Sequence, residues 1–258
     1  MRWDPDQYGR FADERSRPFV DLLARVNASS PRRVVDVGCG PGTLTALLAQ
    51  RWPAATVEGI DSSPEMVSKA AALGGERLSF RLEDAAVWRP PPDCDVVISN
   101  ATLQWVPGHL DLLSRWAAAL PADGWLAFQV PGNFAAPSHA LMRELAEEPH
   151  WVHRLQSVLR HSDAVAEPGD YARLLLRAGL EVDVWETTYL HVLRGEEPVL
   201  EWLRGTGLRP VLAALGDAEG AEFSAELGRR LEIAYPSEPQ GTLFPFRRVF
   251  VVAHRTAH

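Results

Sequence analysis

The chain predicts an α/β fold, a parallel β-sheet with helices packed against it. Two features carry that expectation. Between residues 33 and 131, short β-branched runs alternate with helix-like segments, the pattern of successive right-handed βαβ units. The first run also passes through "GCGPG" directly into an amphipathic helix. At 258 residues, with 46% hydrophobic and 23% charged, the chain has ample material for a core.

The elements follow in order. "RVVDVG" (33–38), "ATVEGID" (55–61), "LSFRLED" (78–84), "CDVVISN" (94–100) and "GWLAFQV" (124–130) are the expected strands. After the first, Leu44, Leu47 and Leu48 share one helical face. "SSPEMV" opens the next helix, with Ser62 as cap, Pro64 in the first turn and Glu65 three residues after Ser62. "LDLLSRWAAAL" (110–120) supplies a helix before the fifth strand. Past Pro131, residues 133–165 read as mainly helical, and residues 168–190 as a helix ending at Gly179 followed by a strand. Residues 196–239 read as further helices, and a strand at 246–253 closes the chain. The expected organisation is one domain over 1–258, with a helical cap at 1–30 and helical insertions at 133–165 and 196–239 forming a substrate lid.

A net charge of −8 argues against non-specific nucleic-acid binding, yet leaves room for a small anionic substrate in a locally basic pocket. Lys69 is the only lysine, so every other one of the 26 basic residues is arginine. The charged N-terminus lacks the apolar run of a signal peptide, and no stretch approaches the ~18 apolar residues of a membrane span. Cys39 and Cys94 have no metal-like spacing, and the eight histidines form no HExxH cluster. A cytoplasmic protein with no membrane partner and no metal is expected, a monomer by default.

The glycine turn is the most informative stretch. Gly38 and Gly40, on either side of Cys39, let the backbone turn sharply and a ligand approach closely, and the helix start adds unpaired N–H donors. A dinucleotide fingerprint would place its third glycine at position 43, which is Thr43. Asp36, two residues before Gly38, suits an ammonium group and would oppose a pyrophosphate. Asp61 ends the second strand, where its carboxylate can accept from both hydroxyls of a ribose, with Ser62 beside it. Asp84 ends the third strand, placed to accept from an exocyclic amine, and Asn100 ends the fourth. A ligand carrying an ammonium, a ribose and an adenine matches all three acids and has no diphosphate.

"VDVGCGPG" and these acids resemble the class I S-adenosylmethionine-dependent methyltransferases. The resemblance implies a Rossmann-like, seven-stranded, mostly parallel sheet of order 3-2-1-4-5-7-6, with strand seven antiparallel. It also implies S-adenosylmethionine as cofactor, Asp61 on its ribose, Asp84 on its adenine amine, and the Ala85 backbone N–H on the ring. "WDPDQY", "ERSRP", "GIDSSPEM", "SNATLQWV", "PSHALMREL", "EVDVWETTYLH", "TGLRP" and "RRVFVVA" carry a narrower resemblance across almost the whole chain. It is to the family that esterifies a carboxylate of small tricarboxylic acids such as trans-aconitate.

For such a reaction the nucleophile is already ionised, since a carboxylic acid of pKa ~4 carries its charge at neutral pH. No general base is required and no catalytic residue is expected; proximity and exclusion of water would carry the rate. The acid's other carboxylates then need partners, and "LFPFRRVFVV" (243–252) offers Arg247 and Arg248 in an otherwise apolar strand. Their side chains point to opposite faces, so at most one faces the substrate directly. The resemblance selects Arg248. Tyr8, Trp105, Arg209 and Tyr189 are further substrate candidates, Gln104 is a candidate for cofactor or substrate, and His191 reads as structural. Methyl transfer to a hydroxyl or amine is the alternative, and would require a base that the sequence does not display. A nicotinamide-dependent dehydrogenase is opposed by Thr43 and Asp36, and a non-catalytic adenosylmethionine sensor by the presence of Asp61, Asp84 and the arginines.

Overall fold

The computed structural model describes residues 12–156, 158–159 and 164–257. The chain runs α1 (Ala12–Leu23), β1 (Arg33–Val37), α2 (Thr43–Arg51), β2 (Thr56–Asp61), α3 (Pro64–Ala70), β3 (Leu78–Leu82), β4 (Cys94–Asn100), α4 (His109–Ala119) and β5 (Trp125–Pro131). There follow α5 (Pro137–Ala146), α6 (Val152–Leu155), α7 (Pro168–Arg177), β6 (Glu181–Leu193), α8 (Pro198–Arg204), α9 (Arg209–Leu215), α10 (Asp217–Ala234), β7 (Ser237–Glu238) and β8 (Gly241–His254). Two compact units result. The first comprises the described residues up to Pro131, then Val165–Thr187 and the chain from Arg248; the second comprises Gly132–Ala164 and Thr188–Arg247. Among the described residues, no helix is long and apolar enough to cross a membrane.

The strand order is β3-β2-β1-β4-β5-β8-β6. Strands β1 to β5 are parallel, and β8 runs antiparallel to β5. This is the order the resemblance implied, with β8 as its seventh strand. Among the described residues, the two-residue β7, paired with β8 alone, is an addition that makes eight strands rather than seven.

The first unit's main core lies on one face of the sheet. Val35 and Val37 of β1, Val97 of β4, Phe128 and Val130 of β5, and Val249 and Val251 of β8 are fully buried there. Helix α4 brings Leu112, Leu113, Trp116 and Ala117, a stripe repeating at helical spacing, and α7 brings Tyr171 and Leu175. The Trp116 indole donates to the Trp88 carbonyl at 3.3 Å, and the two rings meet edge-to-face at 5.4 Å. Truncating Trp116 to alanine would cost about 3–5 kcal/mol through lost burial and the cavity left behind.

Two local expectations are corrected. The cap of α3 is Ser63, not Ser62: Ser63 Oγ accepts from Met66 N at 3.3 Å. Pro64 decides this, because its fixed φ and missing N–H suit the first helical position and make the preceding residue the cap. The closing strand is also longer than 246–253, running for 14 residues from Gly241. Over its first half Thr242, Phe244 and Phe246 are buried while Leu243 and Pro245 are exposed, the period of two that defines a strand. Arg247 and Arg248 therefore lie mid-strand rather than at its start.

In the second unit, the descending part of β6, the start of β8 and helix α8 enclose an aromatic cluster. Trp202 lies 5.6 Å from Phe244, 5.4 Å from Phe246 and 5.0 Å from His191, centroid to centroid.

Candidate active site at the carboxyl ends of the strands

The turn after β1 is pinned before any ligand is considered. Gly38 N and Cys39 N both donate to the Ile60 carbonyl, at 2.8 and 3.0 Å. Gly38 has φ 79°, and a Cβ there would overlap the Thr102 side chain, so glycine is required on both counts. At Gly40 a Cβ would meet nothing within 4 Å, so the backbone presents an open face. Cys39 is buried, and burial raises its thiol pKa far above the usual range. It is a neutral packing residue.

Asp61 closes β2 and is held by two amides: Gly40 N–H donates to Oδ2 and Ser63 N–H to Oδ1, each at 2.9 Å. Each oxygen retains lone-pair capacity for a further donor. Ser62, beside it, is exposed. Asp36 is 3% exposed and accepts from Thr45 Oγ1 at 2.7 Å. Burial pushes its pKa up to about 7; the Thr45 hydrogen bond opposes that shift and the charge of Asp61 adds to it. Asp84 does not end a strand, because β3 stops at Leu82. It opens a turn instead, its Oδ1 accepting from Ala86 N at 2.9 Å and its carbonyl from Val87 N and Trp88 N. Its carboxylate is exposed, and Ala85 beside it is nearly buried.

The ends of β4, β5 and β8 line up through their register. Asn100 is paired with Gln129, Gln129 with Phe250, and Pro131 with Arg248. Paired residues project to one side of a sheet and side chains alternate along each strand, so Asn100, Gln129 and Arg248 share a face. Asp36, paired with Ile98 two positions before Asn100, shares it too. Beyond Asn100 the chain turns at Ala101, a non-glycine residue with φ 54°, whose N–H donates to the Gln129 carbonyl at 2.9 Å.

Arg248 is 4% exposed and donates from Nη1 to Gln129 Oε1 at 3.1 Å. In an otherwise apolar strand, the partner of this charge comes from the neighbouring strand β5. Gln129 itself was missed, although a glutamine inside "GWLAFQV" is the signal that could have found it. Arg247 points to the other face, as expected, and donates to the Gly132 carbonyl at 3.0 Å. Gln104 and Trp105 lie on a single 3₁₀ turn after β4. Gln104 Nε2 donates to the Ala101 carbonyl at 2.5 Å, and Trp105 is half-buried.

The remaining candidates belong to the second unit. Tyr189 is buried and stacked on His191, which stacks in turn on Trp202, so both are built into the aromatic core. Arg209 begins α9 and is half-buried. His139, not singled out from the sequence, is 8% exposed, with Ser138 Oγ 3.2 Å and Asn133 Nδ2 3.5 Å from its Nδ1. Burial and the nearby Arg143 charge lower its pKa to about 4. Tyr8 lies outside the described residues. Among those described, no group of three or more His, Cys, Asp or Glu is arranged to hold a metal ion.

A family model described as a methyltransferase domain matches residues 8–184. The chain is 56% identical over 262 residues to the trans-aconitate 2-methyltransferase of Streptomyces avermitilis, covering 99% of this chain and 97% of that one. The chain belongs to the trans-aconitate 2-methyltransferase family. A second member, from Rhodococcus jostii, is also 56% identical, over 253 residues, covering 97% of this chain and 98% of its own. The fold that the family uses recurs in the YcgJ protein of Bacillus subtilis, at a TM-score of 0.59 and 14% identity, over 94% of this chain and 99% of that one.

Proposed function

We propose that the protein transfers the methyl group of S-adenosylmethionine to one carboxylate of a small polycarboxylic acid, trans-aconitate foremost, giving the monomethyl ester. One observation carries this reading. Along a single face, residues near the strand ends change from acceptors to donors: the Asp36 carboxyl, the Asn100 Oδ1 and Gln129 Nε2, both without a partner among the described residues, and the Arg248 guanidinium. Such a row complements a cationic methyl donor on its acidic side and an anionic acceptor on its basic side.

The residues present suit the cofactor. Asp61 retains acceptor capacity for two ribose hydroxyls, and the open Gly40 backbone admits close approach. The Gly40 N–H is already committed to Asp61, so it is not aimed at a phosphate. In this reading Asp36 faces the ammonium, Asp84 and the Ala85 N–H read the adenine, and Gly38, Cys39, Gly40, Ser62, Asn100 and Gln104 complete the contacts. Bound S-adenosylmethionine supplies an activated methyl on its sulfonium.

Arg248 grips a carboxylate that is not methylated, through the two-pronged geometry that a guanidinium offers and an ammonium does not. Arg247, Tyr8, Trp105, Arg209 and Tyr189 are secondary candidates for substrate contact. No residue is assigned as a base, because the attacking carboxylate is ionised already. Orientation of the two reactants supplies up to about 7–11 kcal/mol in favourable cases.

The test is a methyl-transfer screen over mono-, di- and tricarboxylic acids with mass detection. Monomethyl esters of polycarboxylic acids, formed one for one with S-adenosylhomocysteine, are expected. Turnover confined to alcohols or amines would overturn the reading.

A further inference from the structure

We propose that Gln129 is a substrate-recognition residue: its Oε1 fixes the Arg248 guanidinium, and its Nε2 donates a neighbouring hydrogen bond to the same substrate carboxylate. The inference rests on the reading of Arg248 given above and extends it to a residue on the adjacent strand.

Gln129 is 0% exposed, between Phe128 and Val130, which are also fully buried. An amide in such a place needs hydrogen-bond partners on both of its ends. The Arg248 contact settles its orientation, because a guanidinium has only donors and must therefore face the amide oxygen at 3.1 Å. That leaves Nε2, which is buried and has no hydrogen-bond partner among the described residues. Its register neighbour Asn100 has an unpartnered buried acceptor, Oδ1, yet no hydrogen bond joins the two amides. A free amide donor beside a guanidinium, on one sheet face, is a combination that a carboxylate satisfies: it accepts from both and carries the opposite charge. Neutrality at position 129 is part of the design. Glutamate has the same shape, but it would present an acceptor in place of Nε2 and would itself pair with Arg248.

Gln129→Glu and the near-isosteric Gln129→Met separate these functions from packing, and Arg248→Ala is measured alongside. With trans-aconitate, Gln129→Glu is expected to lower kcat/KM at least about thirtyfold, mainly through KM, and Gln129→Met at least about tenfold. Affinity for S-adenosylmethionine should stay within about twofold of wild type. Preference for polycarboxylic over monocarboxylic acids should collapse in both, whereas a purely structural role would depress both substrate classes alike. Should the glutamate variant fail to fold, the methionine variant decides. If Arg248→Ala raises KM while both Gln129 variants keep wild-type KM and preference, the Gln129 assignment is wrong and the Arg248 reading stands. If Arg248→Ala also leaves KM unchanged, the reading of Arg248 fails and takes the inference with it.

Discussion

Gly40 gives its backbone N–H to Asp61 Oδ2 at 2.9 Å, so the carboxylate proposed to read the ribose also holds the glycine turn against β2. A carboxylate in this position is set up twice, by Gly40 and by Ser63, before the cofactor arrives. Asp61→Ala removes a charged acceptor whose bonds are each worth about 1.5–3 kcal/mol, so affinity for S-adenosylmethionine should fall at least tenfold. Calorimetry on the folded variant measures this. Affinity within twofold of wild type would remove Asp61 from the cofactor site.

In the proposed reading, cofactor binding should depend on pH through Asp36. Its pKa in the fold, about 7, stands above the ordinary carboxylate value, so its contribution to stability is present at low pH and is lost as pH rises through 7. An ammonium group beside it favours the carboxylate and reverses that shift, so binding near pH 6.5 should release a proton and affinity should rise between pH 6 and 8. Calorimetry in two buffers of different ionisation enthalpy would detect the proton, and Asp36→Asn should abolish it. No proton release in the wild-type protein would separate Asp36 from the ammonium.

The kinetic pH profile should divide in the same way. The specificity constant for S-adenosylmethionine, which reports the free enzyme, should rise across pH 6–8 with Asp36. Turnover at saturating cofactor and acid should be flat there, because the nucleophile is ionised throughout. A tenfold rise in turnover across that window would instead indicate an enzyme base, and with it hydroxyl or amine chemistry.

His139 is expected to govern acid stability. Its pKa is lowered to about 4, so the stability it confers is complete above its unfolded value near 6.5 and is lost as pH falls from there towards 4. At pH 5 the loss is on the order of 2 kcal/mol relative to pH 7.5, at 1.36 kcal/mol per pKa unit. Urea denaturation of wild type and His139→Gln at both pH values should show the wild type losing more by about that amount. Equal losses would show that protonation of His139 is not what weakens the fold.

What the sequence disclosed follows from burial. The central strands are buried on both faces and so read as apolar runs, Val96–Ile98 without a break and Val34–Val37 broken by Asp36 alone. Asp61 was legible because it closes the buried strand β2, whereas Asp84 follows the edge strand β3, which ends early at Leu82 and has no buried residue. The first half of β8 was hidden because Pro245 occupies an exposed position in it, and proline ordinarily argues against a strand. Ser62 and Ser63 are both competent caps by composition, and only the placement of Pro64 in the first turn separates them. Gln129 was obscured by its apolar neighbours: its partner stands 119 positions away in the sequence, and antiparallel pairing of β5 with β8 brings them together.

Whether the methyl group goes to a carboxylate oxygen is read from the fate of a labelled methyl. Protein incubated with S-adenosylmethionine labelled in its methyl group and with trans-aconitate should yield a labelled product. Mild alkali should release that label quantitatively as methanol, because esters hydrolyse whereas ethers and methylamines do not. Labelled product that withstands alkali, or S-adenosylhomocysteine formed with no labelled acid, would contradict transfer to a carboxylate.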